Sequence, residues 1–150
     1  MPDLGTYVLG VASGLIVGLV GGWFAHRLTV SRARDERRIA DDTAKIDRCR
    51  EVFAAHIDHV IAYHRNASNL RALKARREEL EHRHPNETPE VFLDGTQEWE
   101  HYHATERRML LAHKGESEER IEWTERVRLI KESAVAVHRL LDERRRYVRR

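Results

Sequence analysis

Between Leu4 and Ala25 the chain carries no charged side chain, and nearly every residue there is apolar or small. A run of about 22 such residues is about 33 Å long as a helix, which matches the hydrocarbon thickness of a bilayer. The sequence therefore predicts one transmembrane helix over 4–25, preceded by a short extracytoplasmic N-terminus at 1–3. Whatever follows is tethered at one end.

Gly10, Gly14, Gly18 and Gly22 recur every four residues and so lie along one face of that helix, widened by Ser13, Gly21 and Ala25. Lipid tails offer no hydrophobic drive between helices, so association depends on close backbone approach, which a glycine face permits. The face predicts a homo-oligomer or packing with a partner membrane protein. Tyr7 and the pair Trp23 and Phe24 sit near the two ends, where amphipathic rings favour the headgroup level. Arg27, Arg32, Arg34, Arg37 and Arg38 crowd the C-terminal flank, whereas the N-terminal flank holds Asp3 and no Lys or Arg. The positive-inside rule then predicts a single-pass protein with its N-terminus outside and the rest in the cytoplasm, as in a bacterial inner membrane. A cleaved signal peptide needs a basic leading region and a shorter apolar core, and this chain has neither.

Composition constrains the remainder. Charged residues make up 35% of the chain, yet the net charge is +2, so opposite signs are interspersed. Glycine is absent between Gly22 and Gly95, and proline occurs only at positions 2, 85 and 89. Such a breaker-free run predicts an all-α chain of long helices rather than a compact globular core. Ile39, Ile46, Phe53 and Val60 repeat at heptad spacing, and the stripe extends to Leu70. This predicts a coiled-coil-like seam offered to a partner. Cys49 lies on the stripe and reads as a small buried apolar residue.

The predicted layout after the anchor is a basic juxtamembrane segment at 26–38, a long helix at 39–82, a proline-containing bend at 83–95 and a second helical arm at 96–150. Thr88 before Pro89 fits an N-cap with proline at the first helical position, with Asp94 or Thr96 as later starts. Gly115 marks a point where the second arm can break, and the last helix carries Trp123, Val127, Ile130, Ala134, Val137, Leu141 and Val148 on one face. Two arms of similar length around a bend predict an antiparallel helical hairpin. That hairpin would carry Arg144, Arg145, Arg146, Arg149 and Arg150 back beside Arg32, Arg34, Arg37 and Arg38. Basic residues held at a cytoplasmic leaflet gain about 1 kcal/mol each from anionic lipid, so a lipid-binding tether is one reading of these clusters.

Glu79-x-x-His82, Glu81-x-x-His84, Glu98-x-x-His101 and Glu100-x-x-His103 each set a carboxylate and an imidazole one helical turn apart. This is the spacing of the ligand pairs in di-iron helix bundles, so the hairpin tip is the place for a metal-binding or metal-sensing site. The pairs overlap, they lie beside a bend, and no inward glutamates appear on two further helices. A solvated charged surface with no cofactor is the default. The near-neutral balance and the acidic run from Glu116 to Glu125 argue against nucleic acid. No nucleophile elbow, phosphate-binding loop, dinucleotide fingerprint, HExxH or CxxC occurs. A two-helix stalk also lacks the concave pocket a small-molecule substrate needs, and the expectation is a protein that is not an enzyme.

One membrane helix followed by a charged helical stalk resembles the layout of the stator b subunit of bacterial ATP synthases, and of small membrane-anchored coiled-coil proteins of bacterial cell division. The resemblance implies a structural role. Pro85 and Pro89 depart from the uninterrupted stalk of the stator subunit, and the arginine flank gives the topology opposite to that of phage inner-membrane spanins, which share the layout. The leading expectation is a membrane-anchored helical scaffold or adaptor.

Overall fold

A computed structural model describes residues 4–148; of residues 4–22 and of Phe24 it describes the helical backbone and not the side chains. The protein is all-α, with no strand among the described residues. Its elements are α1 (Leu4–His64), α2 (Leu70–Arg83), α3 (Pro89–Phe92), α4 (Gln97–Lys114) and α5 (Trp123–Val148). The chain divides into two units, Met1–Asp41 and Asp42–Arg150.

In the first unit, Arg32, Arg34, Arg37 and Arg38 are all exposed, and Ile39, expected on the seam, is 40% exposed. The guanidinium of Arg27 lies 5.1 Å from the Trp23 ring centroid. The glycines at 10, 14, 18 and 22 lie outside the residues whose side chains are described. Among the described residues no helix is long and apolar enough to cross a membrane.

The second unit has a core of its own, contrary to the expectation of a stalk. Phe53 is its centre, fully buried, with its ring edge-on to Tyr102 at 5.1 Å and to Trp99 at 6.1 Å, and 5.1 Å from the His138 ring. Around it pack Ile46, Cys49 and Val60 from α1, Met109 from α4, and Ile130, Val137 and Leu141 from α5. The α5 face read from the sequence is thus buried from Val127 to Leu141, whereas Trp123 is 46% exposed and Val148 is half-buried. Burying a side chain of this size contributes about 1.5–3 kcal/mol, so these residues hold the unit together.

Cross-helix pairs give the topology. Arg145 to Asp47 at 3.0 Å, Arg50 to Asp142 at 2.9 Å and Phe53 against His138 show α5 returning antiparallel along α1. Phe53 with Tyr102, His56 with Glu106 and His64 with His113 show α4 running parallel to α1. α2 lies outside this trio: Leu80 packs on Val52 and Ala55, and Arg77 reaches His59. α5 returns as the expected hairpin requires, but α4, the first part of the expected second arm, runs the same way as α1, so three helices share the core in place of two antiparallel arms.

The long helix expected over 39–82 ends instead at His64. Asn66 adopts φ 51°, the Ala67 N–H donates to the Ala62 carbonyl at 2.9 Å, and the Asn66 N–H to that of Tyr63 at 3.1 Å. That is a Schellman ending with asparagine in the left-handed position, which it tolerates better than most residues. α4 ends in the same way: Gly115 has φ 73°, and the Glu116 N–H donates to the Leu111 carbonyl at 3.0 Å. The break at Gly115 is therefore complete, and 116–122 is a loop. At the bend, Thr88 is extended and Pro89 opens α3, as expected, while Thr96 precedes α4. Leu93 is fully buried and Val91 is 60% exposed, so the apolar residues of the bend plug the core only in part.

Candidate functional site: a polar seam in the helical core

The face of α1 that meets α2 and α4 carries His56, His59 and Tyr63, spaced by three and four residues so that they follow the apolar stripe, with His64 directly after Tyr63. On α4, Glu106 and His113 interrupt the face formed by Trp99, Tyr102 and Met109 in the same manner. Packing these helices in parallel brings the polar groups together inside the unit. Polar groups so placed need partners, because an unpaired buried one costs about 1–3 kcal/mol.

Most find them. His56, 8% exposed, lies with its Nε2 3.1 Å from Glu106 Oε2. Burial pushes the Glu106 carboxyl upward, but the His56 hydrogen bond, with charge from His56, His103 and Arg77, outweighs it and holds the group below its usual value. Arg77 Nη1 is 3.2 Å from His59 Nδ1, and Arg126 Nη2 is 3.2 Å from His113 Nδ1. Burial and these guanidinium groups lower both imidazoles, so His59 and His113 favour the neutral form.

His64 is the exception. It is 1% exposed, its ring stands edge-on to His113 at 5.2 Å and to Tyr63 at 5.7 Å, and its Nδ1 has no hydrogen-bond partner. Burial, then the His113 and Arg126 charges, lower its pKa to about 4. Beside it, His59, Tyr63, Arg77, Glu106 and Leu110 line a cavity of about 310 Å³. A second concavity, of about 470 Å³, opens between the start of the unit and the end of α5, lined by Ile46, Phe92, Leu140 and Val148. Three packed helices, in place of the expected two-helix stalk, leave room for these concavities.

The residues singled out in the sequence are distributed differently. Ile46, Phe53 and Val60 are covered by the protein's own helices, and Leu70, at the start of α2, is half-buried, so this stripe is core and not an offered seam. His82 is exposed, His84 follows the end of α2, His101 is exposed and His103 lies 5.8 Å from the Trp99 ring. Among the described residues no group of three or more His, Cys, Asp or Glu could hold a metal ion, so nothing there supports the alternative of a metal site at the tip. Arg144 donates to the Phe92 carbonyl at 3.0 Å and Arg145 to Asp47, so these two tie α5 in place, whereas Arg146 is exposed. Arg149 and Arg150 lie outside the described residues. Cys49 is fully buried, as expected, and burial raises its thiol to about 12, leaving it unreactive.

Sequence reasoning missed His64, Arg77, Glu106 and His113 as a group. Glu106 and His113 at core spacing on α4 were the available signal. No family model, curated protein or solved structure matches the chain.

Proposed function

We propose that this protein is a single-pass, membrane-anchored helical adaptor, in which the segment 4–25 is the anchor and the unit 42–148 is the module it holds at the membrane. The observation that carries this reading is the division of labour along the chain. An uncharged run long enough to span a bilayer is followed by exposed Arg32, Arg34, Arg37 and Arg38, and then by a unit with a separate core. The arginines favour a cytoplasmic module, N-terminus outside. Association is assigned to the glycine face at 10, 14, 18 and 22, because the Ile46 to Val60 stripe is already occupied within the chain. The role is one of interaction rather than catalysis, and the arginine stretch suits an anionic lipid surface.

Gly14→Leu combined with Gly18→Leu tests the association. Bulk at the centre of the face prevents close approach, so the protein–detergent complex should fall to a smaller mass by light scattering. An unchanged mass would remove the glycine face from the reading.

A further inference from the structure

Where α1 and α4 stop, two imidazoles and a guanidinium lie together, and their hydrogen bonds decide which of them can carry a proton. Arg126, in the first turn of α5, donates from Nη1 to the Ile121 carbonyl, and its Nη2 lies 3.2 Å from Nδ1 of His113 on α4. A guanidinium only donates, so this Nδ1 is the acceptor and the His113 ring keeps its one proton on Nε2. His64 stands edge-on beside that ring at 5.2 Å, 1% exposed, with its Nδ1 buried and unpartnered. The cluster thus ties α5 to α4 and α1, and its geometry requires a neutral His113.

The groups around these rings offer little to balance a further positive charge. Arg126 pairs with no carboxylate among the described residues, and its Nε is buried without a hydrogen bond. From α1, His113 meets His64 and the Tyr63 ring, the latter at 4.7 Å. From α4, Glu106 acts on His64, but its carboxylate is engaged by His56 at 3.1 Å. Arg77 of α2 and Lys114 of α4 line one cavity with His64 and are themselves cationic. Glu119 of the loop is held by Arg108 at 2.8 Å, and Glu125 by Arg128 at 2.8 Å. A proton on His113 would remove the acceptor and set two cations 3.2 Å apart, and a proton on His64 would bury another charge beside them. Burial, and then the positive neighbours, hold both imidazoles below their usual range. The far end of α5 is fastened without histidine, by Arg145 to Asp47 at 3.0 Å, Arg50 to Asp142 at 2.9 Å and Arg144 to the Phe92 carbonyl at 3.0 Å. His138 lies between the two ends, where Asp142 opposes the effect of Arg50. We propose that the His64, His113 and Arg126 cluster is an acid-operated latch, whose protonation releases the loop 116–122 and the first turns of α5 from α1 and α4 while the rest of α5 stays docked. Opening uncovers Tyr63, His64 and Val127, so the module presents a different surface in acid.

Native-state amide hydrogen exchange of the full-length chain in mild detergent tests the latch, with rates corrected for the intrinsic effect of pH. The segments compared are 126–131 and 137–142, both within α5. Between about pH 7.5 and about pH 4.5, protection of 126–131 should fall about tenfold or more beyond that of 137–142, because opening lets the imidazoles take up protons that the closed form refuses. Combining His64→Gln with His113→Gln leaves an acceptor facing Arg126 and removes both titrations, so the two segments should then change alike. His113→Gln alone, at a half-buried position, should reduce the difference several-fold, and it carries the comparison if the double variant fails to fold. A parallel loss in both segments of the wild type, no loss in either, or an undiminished difference in the glutamine variants would overturn the proposal. The comparison is internal to the unit, so its failure leaves the adaptor reading untouched, and the converse also holds.

Discussion

Replacing His64 by Gln should make the protein less sensitive to acid, by an amount that follows from burial. The His64 imidazole faces Tyr63 on its own helix, His113 and Glu106 on α4 and Arg126 on α5. Burial is the largest influence on it, followed by the two positive neighbours, and Glu106 opposes them weakly; the pKa falls from 6.5 to about 4. The folded value lies below the unfolded one, so above about pH 6.5 both states are neutral and His64 costs nothing. As the pH falls from there towards 4, the unfolded chain takes up a proton that the folded chain refuses, and stability is lost. At about 1.4 kcal/mol for each pH unit, the loss reaches about 2 kcal/mol by pH 5 and about 3 kcal/mol once both states are protonated. His59, His113 and His138 are lowered too and add a loss of the same sign, which the wild type and the variant share. Urea unfolding of both full-length proteins in mild detergent, followed by near-ultraviolet circular dichroism at about pH 7.5 and about pH 5, measures the difference. The wild type should lose about 2 kcal/mol more than His64→Gln between the two conditions. Equal losses would mean that His64 is protonated in the folded state and that the reasoning from burial is wrong.

Other outcomes follow from the same contacts. Phe53→Ala should destabilise the unit by about 3–5 kcal/mol, because a fully buried ring shared by three helices leaves a cavity that none of them can close alone; the urea midpoint reports it. Asn66→Gly should preserve or raise stability, while Asn66→Val should lower it by about 1–2 kcal/mol, since φ 51° suits glycine and opposes a branched side chain. Equal stability of those two variants would argue against the Schellman ending of α1.

Much of the second unit was legible in the sequence. The α5 face, the Thr88–Pro89 start and the Gly115 stop each rest on a local rule that packing did not override. The end of α1 was hidden because the chain turns there on Asn66, without a glycine or proline. Only the φ of 51° distinguishes this asparagine from one lying on a helix surface. The compact core was underestimated for a geometric reason. A two-per-heptad stripe implies one partner helix, whereas α1 also buries Val52 and Ala55 beneath α2, and that wider face accommodates three neighbours. The polar seam was missed because its members come from different helices. His56 and His64 resemble ordinary stripe residues until α4 brings Glu106 and His113 opposite them.

The central claim is that residues 4–25 anchor a cytoplasmic helical module, and membrane extraction combined with cysteine labelling tests it most directly. Cys49 is buried, so Cys49→Ala with Ser117→Cys leaves one reactive thiol on the loop after α4. The account predicts that the full chain stays with membranes through alkaline carbonate, that deletion of 4–25 releases it, and that position 117 reacts with an impermeant maleimide only after the cells are opened. Release of the full chain by carbonate, or labelling of position 117 in intact cells, would contradict it.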